Sequence, residues 1–161
     1  MDDRAIIRNL IKTWYQRARR SNADPVSKFV FLWFCMNAWL AFESQMDRDA
    51  DMLRWLKQTS GSPLRTAYAV AYKSETFRGQ LSALAKSPIS DVRVRRPNPD
   101  VVISSIEDFD GIVDGIYRVR CNLFHGGKRA DDPRDTKLVL VCSRLLERWV
   151  GNLLTELNPA A

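Results

Sequence analysis

The sequence predicts an all-helical bundle, and three observations carry that prediction. Near the N-terminus, apolar residues recur at Ile6, Ile7, Leu10, Ile11, Trp14 and Ala18, the three-to-four spacing of a helix with one buried face. The same period returns over a longer C-terminal stretch, at Leu138, Val141, Cys142, Leu145, Trp149, Leu153 and Leu157. Between them, Phe29 to Phe42 is apolar on nearly every side, as a helix enclosed by other helices must be. With 45% hydrophobic residues in 161, including five tryptophans and seven phenylalanines, the chain suits one domain over 1–161 with a substantial core.

The elements follow in order. Arg17, Arg19 and Arg20 load positive charge at the end of the first helix, where the helix dipole favours it. Asp24-Pro25 then reads as an N-cap followed by proline at the first helical position, opening a helix that runs to about Ser44. Its continuous apolar run falls short of the roughly 20 residues of a membrane span, so a central core helix and no membrane partner are expected. Asn37 is the strongly polar residue in its middle. It is expected to hydrogen-bond within the core or across an interface, since an unpaired amide there costs on the order of 1–3 kcal/mol.

Three shorter helical patterns come next: Met52, Leu53, Trp55 and Leu56; Leu64, Ala67, Tyr68, Ala71 and Tyr72; and Phe77, Leu81 and Leu84. Ser60-Gly61-Ser62-Pro63 and Ser74-Glu75 punctuate them. From Ser87 to about Asp100 the pattern changes to prolines, alternating Val92 and Val94, and the cations Arg93, Arg95 and Arg96. This predicts an exposed, basic, extended loop or short hairpin, either touching RNA or simply solvated. Ser104 or Ser105 is expected to cap the next helix, with Glu107, Asp108 and Asp110 in its first turn. Those acids suit the helix dipole, and with no second histidine to join them no metal site is expected. The helix continues through Phe109, Ile112, Val113, Ile116, Val119 and Leu123, and the last helix begins near Asp135-Thr136.

A net charge of +6 and a pI of about 9.5 favour an anionic partner, with nucleic acid the commonest candidate, although many basic proteins are merely soluble. Cys35, Cys121 and Cys142 are widely spaced and form no Cys-x-x-Cys pattern, which argues against a disulfide framework or a zinc site. The start Met1-Asp2-Asp3-Arg4 lacks a signal-peptide pattern, so the expected location is the cytoplasm. Gly126-Gly127-Lys128 is no P-loop, lacking the Gly-x4-Gly-Lys-Ser/Thr pattern, and no cofactor is expected.

The chemistry concentrates in Arg118-Val119-Arg120-Cys121-Asn122-Leu123-Phe124-His125-Gly126-Gly127-Lys128, which holds the chain's one histidine. Histidine exchanges protons near neutrality and arginine is a permanently charged fork suited to phosphate. A surface histidine with ordinary basic neighbours explains the same letters equally well. On a helical wheel centred on Ile116, Arg120 falls within the apolar stripe, where it must pair, snorkel, or face a cleft or subunit interface. Arg118 falls on the opposite side. His125 lies about 140° from Arg120 on an unbroken helix. The glycine pair is a strong helix stop, however, and is expected to let His125 swing towards Arg120, with Lys128 and Arg129 making the mouth positive. If the helix runs unbroken through His125, the ranking reverses, because Arg118 then lies about 20° from the histidine.

Arg120-x4-His125 closing a helix, a long helix after it, and an upstream buried helix with Trp33 and Asn37 together resemble the HEPN superfamily, whose motif is Arg-x4–6-His. The family's pattern commonly has Asn, Asp or His directly after the arginine, where this chain has Cys121, with Asn122 one place later. The resemblance implies a dimerising helical bundle, often a metal-independent endoribonuclease of toxin-antitoxin or antiviral systems, with an antitoxin as a further partner. In that reading Arg120 and His125 are catalytic. Asn122 orients the imidazole or holds a phosphate oxygen, and Arg118, Lys128 and Arg129 contact RNA. Transesterification needs a base for the 2′-hydroxyl and an acid for the leaving oxygen; one chain carries one histidine, so two-fold symmetry would supply the second. The alternatives are a noncatalytic module that binds RNA, nucleotide or protein through the same region, and a plain structural subunit with Arg120 in an ion pair and His125 in solvent.

Overall fold

The computed structural model describes residues 2–20, 24–93, 95–125 and 133–158. Among them the chain forms α1 (Asp3–Arg20), α2 (Pro25–Ser44), α3 (Asp49–Gln58), α4 (Pro63–Tyr72), α5 (Glu75–Ala85), α6 (Phe109–Phe124) and α7 (Pro133–Glu156), with no β-strand. The all-helical class therefore holds. Local chemistry sets most of the starts. Asp24 accepts hydrogen bonds from the Val26 and Ser27 N–H groups ahead of Pro25. Ser62 and Ser74 cap α4 and α5 in the same way, as the punctuation at those sites predicts.

Helices α2 and α7 form the centre. Helix α2 is apolar all round and needs cover on several sides, which α1, α3 and α7 provide. Phe29, Leu32, Trp33, Cys35, Met36, Trp39 and Leu40 are all buried, each large side chain contributing about 1.5–3 kcal/mol relative to exposure. Extending to 20 residues, α2 is the one described helix long and apolar enough to cross a membrane by length and composition; here it serves as the packed core helix. Helices α4 and α5 pack on α7, where Trp149 donates its indole N–H to the Leu64 carbonyl at 2.8 Å and meets Tyr68 edge to face.

Helix α6 lies at the side, against α3, α5 and α7, and the chain from 86 to 108 is laid along it. Of the extended loop or short hairpin expected there, the described residues form the loop. Its described β contact is a single antiparallel bridge between Ile89 and Val101. Buried Ile89 and Ile103 anchor it. Both reach α6 at Gly115, where a β-carbon would lie 2.9 Å from the Ile103 side chain, so a smaller-than-alanine residue lets the loop seat closely.

The start of α6 corrects the sequence expectation. Neither Ser104 nor Ser105 is its N-cap; Asp108 is, accepting from the Gly111 N–H at 2.9 Å. Ser104 donates its backbone N–H and its hydroxyl to the other Asp108 oxygen. Glu107 thus precedes the helix, and Asp110 stands alone as the acid of its first turn. The hydrogen bonds from Ser104 and Gly111 hold the Asp108 carboxyl below its ordinary pKa.

Candidate functional site

The geometry of the motif turns on where α6 ends. Helical hydrogen bonding persists through His125, whose N–H donates to the Cys121 carbonyl at 3.1 Å, with φ −90° and ψ 17°. His125 therefore does not swing towards Arg120. Along the helix, Arg118, Cys121 and His125 share one face, and Arg120 lies about 140° from the histidine. The second of the two geometries weighed from sequence is the one observed.

That face, with the 89–102 chain opposite it, forms a cleft of about 520 Å³ into which Tyr117, Arg118, Cys121 and exposed His125 all open. Arg118 lies on the side of α6 away from the apolar stripe, but it does not stand free. Instead it donates to the Ile89 carbonyl at 3.2 Å and the Pro99 carbonyl at 3.0 Å, clamping the loop to the helix. Carbonyls are neutral, so no carboxylate pairs directly with Arg118 among the described residues, although Asp100 borders the same cleft. Across the cleft, Arg93 grips Asp91 with its side chain, the shortest bond being 2.6 Å. That grip, reinforced by the Asn98 N–H, holds the Asp91 carboxyl far below the usual carboxylate range. Asp114 is similarly occupied by Lys57. Tyr117 stacks against Trp33, and burial, together with a hydrogen bond to Cys121, pushes its hydroxyl up to about 12, so it is a neutral donor at pH 7.

Arg120 faces the other way. Its guanidinium meets Asp49 on α3 at 3.2 Å and lies over the Phe124 ring at 4.8 Å, while its buried Nε has no partner among the described residues. Asp49 also accepts from the Asn37 amide at 2.7 Å, so Asn37, Asp49 and Arg120 form one chain joining α2, α3 and α6. The partner required for Asn37 is therefore an acid that sequence reasoning did not single out. Asn122 is likewise engaged away from His125. It is 3% exposed, its carbonyl accepts from the Val92 N–H, and its amide donates to the Ser90 carbonyl. Both ends are committed to the loop, and neither orients the imidazole. Lys128, Arg129 and the glycine pair lie outside the described residues.

The structure thus brings Arg118 to His125, removes Arg120 and Asn122 from that cleft, and adds Arg93 and Tyr117. A signal for Tyr117 was present, since Tyr117, Cys121 and His125 recur every four residues on one face. No group of three or more His, Cys, Asp or Glu residues positioned to hold a metal ion occurs among the described residues. Comparisons of the chain with protein-family models, curated proteins and solved structures found no match.

Proposed function

We propose that the chain is a HEPN-type, metal-independent endoribonuclease acting as a homodimer, with His125 and Arg118 as its working residues. The observation that carries the reading is the shared cleft of an exposed histidine and an arginine whose charge no carboxylate cancels among the described residues. Arg118-x6-His125 satisfies the family's permitted spacing, so the arginine role passes from Arg120 to Arg118 within the same motif.

In the reaction, one His125 takes the proton of an RNA 2′-hydroxyl, whose oxygen attacks the adjacent phosphorus. The P–O5′ bond breaks, and the leaving 5′-oxygen takes a proton from the His125 of the second subunit. The products are a 2′,3′-cyclic phosphate and a 5′-hydroxyl. Arg118 stabilises the charge on the phosphoryl oxygens, a contribution of the size seen for preorganised donors, about 100-fold or more in rate. Exposed Phe124 beside His125 supplies apolar surface for a subunit interface to cover.

Cleavage is expected to survive EDTA, to spare DNA, and to vanish in His125→Ala with folding retained, because the ring is exposed. Inhibition by EDTA reversed by magnesium, or full activity in His125→Ala, would overturn the proposal. One observation favours a second reading. Arg120 is committed to Asp49, as in the structural alternative, and RNA binding without cleavage would make the cleft that of a noncatalytic HEPN-like module.

A further inference from the structure

A basic groove runs along α1, α5 and α7 and shares no lining residue with the His125 cleft. Its wider part, about 690 Å³, is flanked by Arg19 of α1 and by Arg144 and Arg148 of α7. A narrower part of about 310 Å³ continues past Arg8 and Lys12, and Tyr15 and Arg19 border both. On α1, Arg8, Lys12, Tyr15 and Arg19 are spaced at four, seven and eleven residues, which places them within about 60° of one another on one helix face.

None of these five cations has a carboxylate within salt-bridge distance among the described residues. Glu147, the acid bordering the wider part, is taken by Lys28 at 2.8 Å. Arg8 with Lys12, and Arg144 with Arg148, stand four residues apart and repel along their helices, so the arrangement opposes folding rather than assisting it. Elsewhere the chain does pair its charges, as at Arg93 with Asp91, Lys57 with Asp114 and Arg54 with Asp51. Two further features bear on a ligand. Gln80 borders the groove, and its buried Oε1 has no hydrogen-bond partner among the described residues, an acceptor suited to a base N–H or a ribose hydroxyl rather than to a phosphate. Tyr15 is drawn in against Gly151, where a β-carbon would lie 2.8 Å from its hydroxyl, placing an aromatic ring at the junction of the two parts.

We propose that this groove binds the phosphodiester backbone of a nucleic-acid strand, with Arg8, Lys12, Arg19, Arg144 and Arg148 on successive phosphates and Tyr15 against a base. Arg8 and Arg19 lie about 16 Å apart along α1, a length of roughly five nucleotides at duplex rise. Concavity favours a strand over a flat membrane surface. Stacking on an aromatic in a cationic groove is the mode that grips single strands without reading sequence. The site does not depend on whether His125 cleaves RNA.

The experiment is a salt titration of binding to fluorescein-labelled oligodeoxythymidine and oligouridine, followed by anisotropy. The DNA probe lacks a 2′-hydroxyl, so its binding reports the groove and stays independent of cleavage. Five phosphate contacts predict a slope of about −3.5 for log K against log salt, hence a loss of roughly 100-fold between about 50 and 200 mM. The triple variant Arg19→Gln, Arg144→Gln, Arg148→Gln should bring the slope to about −1.4 and the loss to roughly sevenfold. All three side chains are exposed, and replacing them by lysine should restore the steep slope. A control of equal charge loss away from the groove, Arg54→Gln, Lys73→Gln, Lys86→Gln, should leave the slope unchanged. Equal flattening by the control, no rescue by lysine, or no binding at low salt overturns the proposal. So does a polyglutamate probe that binds through the same arginines while the oligonucleotides do not, which would make the partner an acidic protein.

Discussion

Asp49 decides what Arg120 is for. At 3.2 Å and an effective dielectric of about 20, the direct attraction between the pair is about 5 kcal/mol before desolvation. With side chains 27% and 18% exposed, the pair lies between a surface bridge, worth about 0–1 kcal/mol, and a buried one, whose breaking costs about 3–5 kcal/mol. A coupling of about 1–2 kcal/mol follows. Asp49→Ala should cost about 2–3 kcal/mol, because it also strips the Asn37 amide of its acceptor and leaves Arg120, whose Nε already lacks a partner among the described residues, without its Asp49 counterion. Arg120→Ala should cost about 2 kcal/mol, through the ion pair and the packing over Phe124. The double variant should be less destabilised than the sum of the two.

Urea melts of the four proteins in a double-mutant cycle measure that coupling directly. Each single variant should also melt about 4–12 °C below the wild type. Cleavage of saturating RNA, assayed where every variant is folded, should be unchanged by either substitution, because Arg120 is outside the His125 cleft. Zero coupling together with a 100-fold loss of kcat in folded Arg120→Ala would refute this reasoning and return Arg120 to the catalytic role that the motif alone suggests.

Four further outcomes are expected. Arg118→Ala should lower kcat by about 100-fold, and Arg118→Lys should recover part of it, since the charge returns without the fork that holds Ile89 and Pro99; RNA cleavage by the folded variants measures both. Asn122→Ala should cost about 2 kcal/mol in urea unfolding, one for each loop hydrogen bond, and Asn122→Asp more, because its carboxylate would face the Ser90 carbonyl; an unchanged midpoint with lost cleavage would restore the supporting role at the site. Asp91, depressed by Arg93, contributes stability that is present above the ordinary carboxylate pKa near 4 and is lost as pH falls towards its folded value; Asp91→Asn should therefore narrow the gap to wild type in thermal melts taken below about pH 4. In a thiol-labelling assay Cys121 should react in the native protein while Cys35 does not, because burial pushes the Cys35 thiol up to about 12; a bulky adduct on Cys121 should block the cleft.

Helix order was legible in the sequence because the information is local. Asp24 and Pro25 sit beside the start of α2, and the apolar periods of α1 and α7 lie within single elements. The choice of Asp108 over Ser104 as cap was not legible, because it depends on where Ile103 docks against Gly115, a contact between the loop and a later helix turn. Asn37 announced that it needed a partner, but the partner, Asp49, is on a different helix and looks in sequence like one of several first-turn acids. The same gap governs the site. That Arg118 joins His125 on an unbroken helix is simple geometry, whereas whether the helix breaks at the glycines is not decided by residue type. The contribution of Arg93 depended on the path of the 86–108 chain, which no period marks.

The distribution of unpaired charge links these results. In the His125 cleft, Arg93 is neutralised by Asp91 and Asp114 by Lys57, which leaves Arg118 as the cation without a carboxylate partner among the described residues. The α1–α7 groove instead carries five cations without a carboxylate partner among the described residues. A cleft so nearly balanced, with Asp100 also on its border, has little field to capture a polyanion; in the proposed mechanism Arg118 acts on the transition state locally. If both proposals hold, affinity and chemistry reside on separate faces and separate in kinetics. Groove substitutions remove binding that is equal in ground and transition states, so they should raise KM and leave kcat unchanged, and raising salt should mimic them. Arg118→Ala should lower kcat at saturating RNA whatever the salt. A fall in kcat from the groove triple variant would mean instead that the groove positions the scissile phosphate, and that the two faces act on one strand as a single site.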